Sequence, residues 1–172
     1  MKALVVIDMQ KDFMPGGKLS IPDGDKIIPK INKLMGQYDL VLFSKDWHPK
    51  DLDFEKWPEH CIQNTEGAEF AEGLDLSKIK KDFYIFKKGL DSHKDSYSIF
   101  NAPDFVNFIN EKHINEMDFV GVAAEYCVLE SIMDAVNFDI KTGIYKDAVK
   151  EVSIVDLNVY FDQLERNGII IK

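Results

Sequence analysis

The stretch from Asp118 to Met133, DFVGVAAEYCVLESIM, constrains this chain more than any other, because one short segment passes from the pattern of a strand to that of a helix. Phe119, Val120 and Val122 form an apolar run, and the small residues from Gly121 to Ala124 let backbone approach backbone or a ligand closely. Beyond them Val128, Ile132, Ala135 and Val136 recur at helical spacing, with Glu125, Glu130 and Asp134 between them. Cys127 is therefore predicted in the first turn of a helix. A strand-to-helix turn in an open α/β sheet opens at the carboxyl edge, where such folds bind ligands, and the free N–H groups of a helix start favour a thiolate. Taken alone, the position also suits a small buried hydrophobe, the usual place of a free cysteine.

The same alternation runs through the chain. Lys2 to Ile7, KALVVI, is a continuous apolar run, the pattern of a strand buried on both faces of a parallel sheet. Further strands are predicted at Leu40 to Phe43, Phe83 to Phe86, Asp118 to Val122 and Lys141 to Tyr145, with an edge strand at Ile169 to Ile171 after Gly168, a left-handed helix stop. Helices are predicted at Ile27 to Leu34, Pro103 to Lys112, Tyr126 to Asn137 and Val155 to Arg166, and Asp95 to Phe100 as a turn or helix start. The alternation predicts an α/β fold: a doubly wound, mostly parallel sheet with helices on both faces. At 172 residues and 45% hydrophobic content, residues 1–172 are expected to form one domain.

A formal net charge of -9 without a basic cluster argues against nucleic acid or an anionic membrane surface as partner, and for a small neutral or cationic ligand. No N-terminal stretch reads as a secretion signal and no apolar run could span a bilayer, so a cytoplasmic protein is expected. In that reducing compartment Cys61 and Cys127 are expected as free thiols. The oligomeric state, homo-oligomer included, is left open.

Polar residues follow the predicted strands. Asp8 ends the first; burying it uncompensated is costly, so it either caps the next turn or belongs to a site. After the second come Asp46 and His48, which share one side of an extended chain and read either as a solvated loop pair or as ligands for a divalent transition metal. His60, in Trp57-Pro58-Glu59-His60-Cys61, adds a third donor, and three ligands with open positions is the pattern of a catalytic metal site. Lys87 and Lys88 follow the third strand, where lysines are commonly solvated. His93 and His113 lie in polar loops and receive no role.

The blocks VVIDMQKDF with GGKL, SKDWHP, WPEHCIQNTEGAEF and VGVAAEYCV, with FKKG and DSYSIF between the last two, resemble the nicotinamidases (pyrazinamidases) of the isochorismatase-like cysteine hydrolase superfamily over essentially the whole chain. DWHP followed by WPxHC distinguishes nicotinamidases from the metal-free isochorismatases. The resemblance implies a triad of Asp8, Lys88 and the nucleophile Cys127. It implies an oxyanion hole from the N–H groups of Ala123 and Cys127, next to a cis peptide between Val122 and Ala123. It further implies one divalent ion on Asp46, His48 and His60, zinc first and iron or manganese next, with Phe13 and Trp57 flanking a pyridine ring.

Two departures stand out. Leu52 replaces a histidine of the family pattern, so a fourth ligand would have to come from Asp53 or Glu55, and Ala124-Glu125 stands where Thr-Asp is common. The activity implied is hydrolysis of nicotinamide, and of pyrazinamide, to the acid and ammonia through a cysteine thioester, in NAD salvage. The alternatives are a related cysteine hydrolase of another small amide or ester, and a catalytically silent pyridine-binding protein.

Overall fold

The structure, a computed structural model, describes residues 1–54, 56–91, 96–153 and 156–172. Six strands form one sheet: β1 (Lys2–Ile7), β2 (Leu40–Asp46), β3 (Asp82–Lys88), β4 (Glu116–Val122), β5 (Lys141–Lys150) and β6 (Ile170–Ile171). They lie in the order β3-β2-β1-β4-β5-β6, and each neighbouring pair is parallel. The helices are α1 (Ile28–Met35), α2 (Phe105–Glu111), α3 (Leu129–Asn137) and α4 (Leu157–Arg166).

The continuous apolar run of β1 has a direct structural meaning. Ala3, Val5 and Ile7 enter one core with Phe105 of α2, Ile132 of α3 and Leu164 of α4. Leu4 and Val6 enter the opposite core with Ile31 and Leu34 of α1. Alternate side chains point to opposite faces, so a strand covered on both sides needs no polar residue. Gly168, at φ +85°, ends α4 as expected.

Several boundaries differ from the sequence reading. Strand β2 runs on through Ser44, Lys45 and Asp46, because these pair in register with Phe86, Lys87 and Lys88 of β3. Strand β5 likewise continues to Lys150, α2 begins at Phe105, and Ile27 closes a short 3-10 turn ahead of α1. Of the expected helix from Val155, the first residue lies outside the described residues. Cys127 sits not in the first turn of an α-helix but in a π-helical turn, Ala124–Val128, that precedes α3.

Asp118, in the middle of β4, is a buried carboxylate beneath this frame. Tyr38 donates its hydroxyl to it, and Lys2 and Lys172 approach to 2.9 and 2.5 Å. Its register partner is Gly143, where any Cβ would fall 2.3 Å from the Asp118 carboxylate oxygen.

Candidate active site

The carboxyl ends of four strands meet at one place. Asp8 follows β1 directly at φ +47°, a left-handed conformation that costs a non-glycine residue about 1–2 kcal/mol. Ser44 of β2 holds it there: its Oγ accepts the Asp8 N–H at 3.1 Å and donates to Oδ1 at 2.7 Å. Lys88 ends β3, fully buried, with Nζ 2.9 Å from Asp8 Oδ2 and 3.5 Å from Cys127 Sγ. The same ammonium donates to the Asp46 carboxylate and, at 3.2 Å, to the Ser96 carbonyl. Asp8, Lys88 and Cys127, remote in sequence, are thus brought together, and it is Lys88 rather than Lys87 that points inward. Lys87 lies over the Trp47 ring, 3.6 Å from its centroid.

Strand β4 delivers Cys127 by a bend. Gly121 adopts φ +114° against Ile7 of β1, where a Cβ would stand 2.1 Å from the Ile7 carbonyl oxygen, so only glycine fits. The Val122–Ala123 peptide is cis, and the π-turn follows. Ser131 ties that turn to the 3-10 turn Ile99–Asn101, earlier in the chain: its hydroxyl donates to the Cys127 carbonyl at 2.7 Å and accepts the Ile99 N–H at 3.1 Å.

Burial sets the resting protonation states. Burial, then the nearby Asp46 charge, pushes Asp8 up to about 6, with Lys88 and Ser44 opposing. Burial also pushes the Cys127 thiol well above its usual range; Lys88 pulls it down, but the Asp8 and Asp46 charges disfavour a thiolate. This reverses the sequence expectation of a depressed thiol. A helix end contributes at most about 2 kcal/mol, whereas burying an ion costs several. For Lys88 burial acts downward, but Asp46 and Asp8 outweigh it and keep the ammonium charged. Asp46 stays below the usual carboxylate range because Lys88, His48 and His60 overcome its burial.

Asp46, His48 and His60 form a second cluster, all buried, with donor atoms within 4.8 Å of one another. Each imidazole engages a backbone carbonyl through Nδ1: His48 with Gly89 at 3.2 Å, His60 with Pro58 at 2.8 Å. That leaves each Nε2 turned toward Asp46 Oδ2, at 3.8 and 3.9 Å. Two imidazoles oriented by carbonyls and one carboxylate are a donor set that suits a divalent transition metal. Gly89 permits the His48 contact: at φ +68°, a Cβ there would lie 2.5 Å from His48 Cε1. Asp53 is exposed and stands outside this cluster, whereas Phe54 packs its ring 5.4 Å from His48 and 5.3 Å from His60. Leu52 is buried, and Glu55 lies outside the described residues.

Both clusters contribute to a cavity: Asp46 and His60 from one and Cys127 from the other line it. Phe13 and Trp57 line it as the sequence suggested, with Asp46, His60, Ala123 and Cys127 at its polar end. Leu19, Ile21, Tyr97, Tyr126 and Val152 complete the wall and were not picked out in the sequence. The Trp57 indole donates to the Tyr97 hydroxyl at 3.1 Å.

Gln10 was also missed. Its side chain gives and takes a bond with the Asp46 backbone, both at 2.8 Å, and reaches the Ala68 carbonyl at 3.0 Å. Because β1 has ended, this amide stands in for the strand that would otherwise pair with Asp46. Asp12 works similarly, accepting the Cys61 N–H at 2.7 Å.

The chain matches the Isochorismatase domain family over residues 2–171. It is 31% identical to the nicotinamidase of Acinetobacter baylyi over 88% of this chain and 82% of that protein. It is also 31% identical to the nicotinamidase/pyrazinamidase of Mycobacterium tuberculosis, over 89% and 88%. The crystal structure of the Pyrococcus horikoshii pyrazinamidase in complex with zinc superposes with a TM-score of 0.90 at 36% identity, covering 99% and 98% of the two chains. With the fold, the strand-end residues and these likenesses in agreement, the chain belongs to the isochorismatase-domain family and, within it, to the nicotinamidase/pyrazinamidase group.

Proposed function

We propose that this protein hydrolyses nicotinamide to nicotinate and ammonia, and pyrazinamide in the same way, with Cys127 as nucleophile. The observation that carries the reading is the position of Lys88, 2.9 Å from Asp8 and 3.5 Å from Cys127, directly behind the sulfur that lines an aromatic-walled cavity. The relatives named nicotinamidase and pyrazinamidase support the substrate class.

The thiol enters the reaction protonated, so a base is required. Asp8 takes the Cys127 proton as sulfur bonds to the amide carbonyl carbon, and Lys88 holds Asp8 in its charged form beforehand. The N–H groups of Ala123 and Cys127 receive the developing oxyanion, each worth about 3 to 4 kcal/mol in a preorganised hole. Asp8 returns the proton to the departing nitrogen; the carbon–nitrogen bond breaks, and ammonia and a thioester result. Water then attacks the thioester carbon, Asp8 accepts its proton and passes it to the leaving sulfur, and nicotinate and the free thiol are regenerated.

Asp46, His48 and His60 would hold one divalent ion, zinc first and iron or manganese next; the zinc in the Pyrococcus relative supports this. When bound, that ion supplies a positive centre for the pyridine nitrogen and a polarised water. Phe13 and Trp57 stack against the ring, so the amide is presented to Cys127 in one orientation. We place the activity in the cytoplasm, in pyridine nucleotide salvage, a setting suited to two free cysteines.

Ammonia release from nicotinamide, measured on protein of known metal content, tests the reading. Turnover dependent on the bound ion is expected. Hydrolysis of another small amide or ester, with none of nicotinamide or pyrazinamide, would overturn it.

A further inference from the structure

The cavity wall at Val152 is set by one side chain that is not itself among the lining residues. Strand β5 ends at Lys150, and Val152, two residues on, lines the cavity. The Val152 N–H is given to the Glu125 carboxylate, at 3.1 Å to Oε1 and 3.3 Å to Oε2, and the Ser153 N–H to Oε1 at 2.8 Å. Glu125 belongs to the π-turn that carries Cys127, two residues away in sequence. Tyr160 of α4 braces the same turn, donating its hydroxyl to the Ala124 carbonyl at 2.7 Å.

We propose that Glu125 is a positioning residue that fixes the distance between the reactive sulfur and the facing wall at Val152, and thereby limits the ring size the cavity admits. The inference rests on the amide hydrolysis proposed above and adds a determinant of its specificity. A carboxylate accepting two adjacent backbone N–H groups holds a loop in the way a side chain caps a helix start. Because that carboxylate springs from the turn bearing the nucleophile, sulfur and wall keep their separation. Without it, the Val152 N–H loses its partner among the described residues, and a substituent on the substrate ring no longer meets a fixed surface.

The test compares wild type with Glu125→Ala, Glu125→Gln, Val152→Ala and the Glu125→Ala/Val152→Ala double variant, on nicotinamide and on 5-methylnicotinamide. Glu125→Ala should raise KM for nicotinamide about tenfold with kcat within threefold, and raise the relative kcat/KM for the methylated ring about tenfold. Glu125→Gln keeps the oxygen that accepts the two shorter bonds and should restore the wild-type preference. Val152→Ala should shift the preference in the same direction, and the double variant should go no further than the larger single. A fall in kcat with KM and preference unchanged, or strictly additive effects, would overturn the proposal. Should Glu125→Ala not fold, an unchanged preference in Val152→Ala overturns it as well.

If the wild type does not hydrolyse nicotinamide, the functional reading fails and the positioning role is read separately by amide hydrogen exchange. Faster exchange at Val152 and Ser153 in Glu125→Ala, reversed in Glu125→Gln, supports the role; unchanged exchange refutes it.

Discussion

The Lys88 ammonium stands 2.9 Å from the Asp8 carboxylate, with neither side chain reached by solvent. Removing the cation would leave the Asp8 and Asp46 carboxylates buried against each other. Lys88→Met is therefore expected to lower kcat/KM by about a thousandfold, within the range for loss of acid–base catalysis, and to destabilise the fold by about 3–5 kcal/mol. Steady-state kinetics together with urea denaturation check both. Activity within tenfold of wild type would remove Lys88 from the machinery.

Cys127→Ala is expected to abolish ammonia release while leaving metal content and nicotinate binding nearly intact, because the sulfur is not among the donors of the Asp46, His48 and His60 cluster. Cys61 is the control: buried, and joined to Asp12 only through its backbone N–H, it should tolerate alanine with activity within about threefold. Burial pushes both thiols up, so access decides which reacts with alkylating reagents first. Cys127, which lines the cavity, should react before Cys61, as peptide mapping would show. Steady turnover by Cys127→Ala would exclude the thioester route.

His48→Ala should weaken metal and substrate binding together. Gly89→Ala offers a subtler version of that experiment, since its Cβ would fall 2.5 Å from the His48 ring. Displacement of the imidazole from the Gly89 carbonyl that orients it is expected to lower metal affinity about 10- to 100-fold, measurable by competition with a chromogenic chelator. Unchanged affinity would show that His48 is held by other contacts.

Asp118 gives a pH dependence away from the cavity. Burial pushes this carboxylate upward, but the bonds from Lys172, Tyr38 and Lys2 outweigh it and hold it below the usual range. A depressed value in the folded state contributes stability above the unfolded value, near 3.9, that is lost as pH falls through the folded one. Asp118→Asn should therefore cost about 1.5 to 3 kcal/mol at pH 7. The difference from wild type should shrink below about pH 4 in parallel melts. A constant difference down to pH 2 would point to packing instead of charge.

Most of this architecture was legible in the chain because it rests on local pattern. The uninterrupted run of Lys2 to Ile7 identified a strand covered on both faces, and polar residues after successive runs marked the edge where the site lies. What escaped is non-local. Gln10, Ser44 and Glu125 bind groups 27 to 58 positions away, and nothing in their neighbours announces those partners. The π-turn escaped because five residues are too few for a period of 3.6 to be told from a wider one. The raised Cys127 thiol escaped because a sequence shows the favourable dipole and cation but not the depth of burial that opposes them.

The bridging lysine is carried on the outermost strand. β3 ends the sheet and, among the described strands, pairs only with β2, with Phe83 and Ile85 more than two fifths exposed, yet it supplies the rung on which Asp46 faces Lys88. The site therefore inherits the local stability of a border, which is set by how readily one strand peels away and not by the strength of the two cores behind it. Fraying of β3 would separate Lys88 from both carboxylates while β1, β4 and the helices remain folded. Activity should accordingly disappear at a lower urea concentration than far-ultraviolet circular dichroism, leaving an inactive protein with most of its secondary structure.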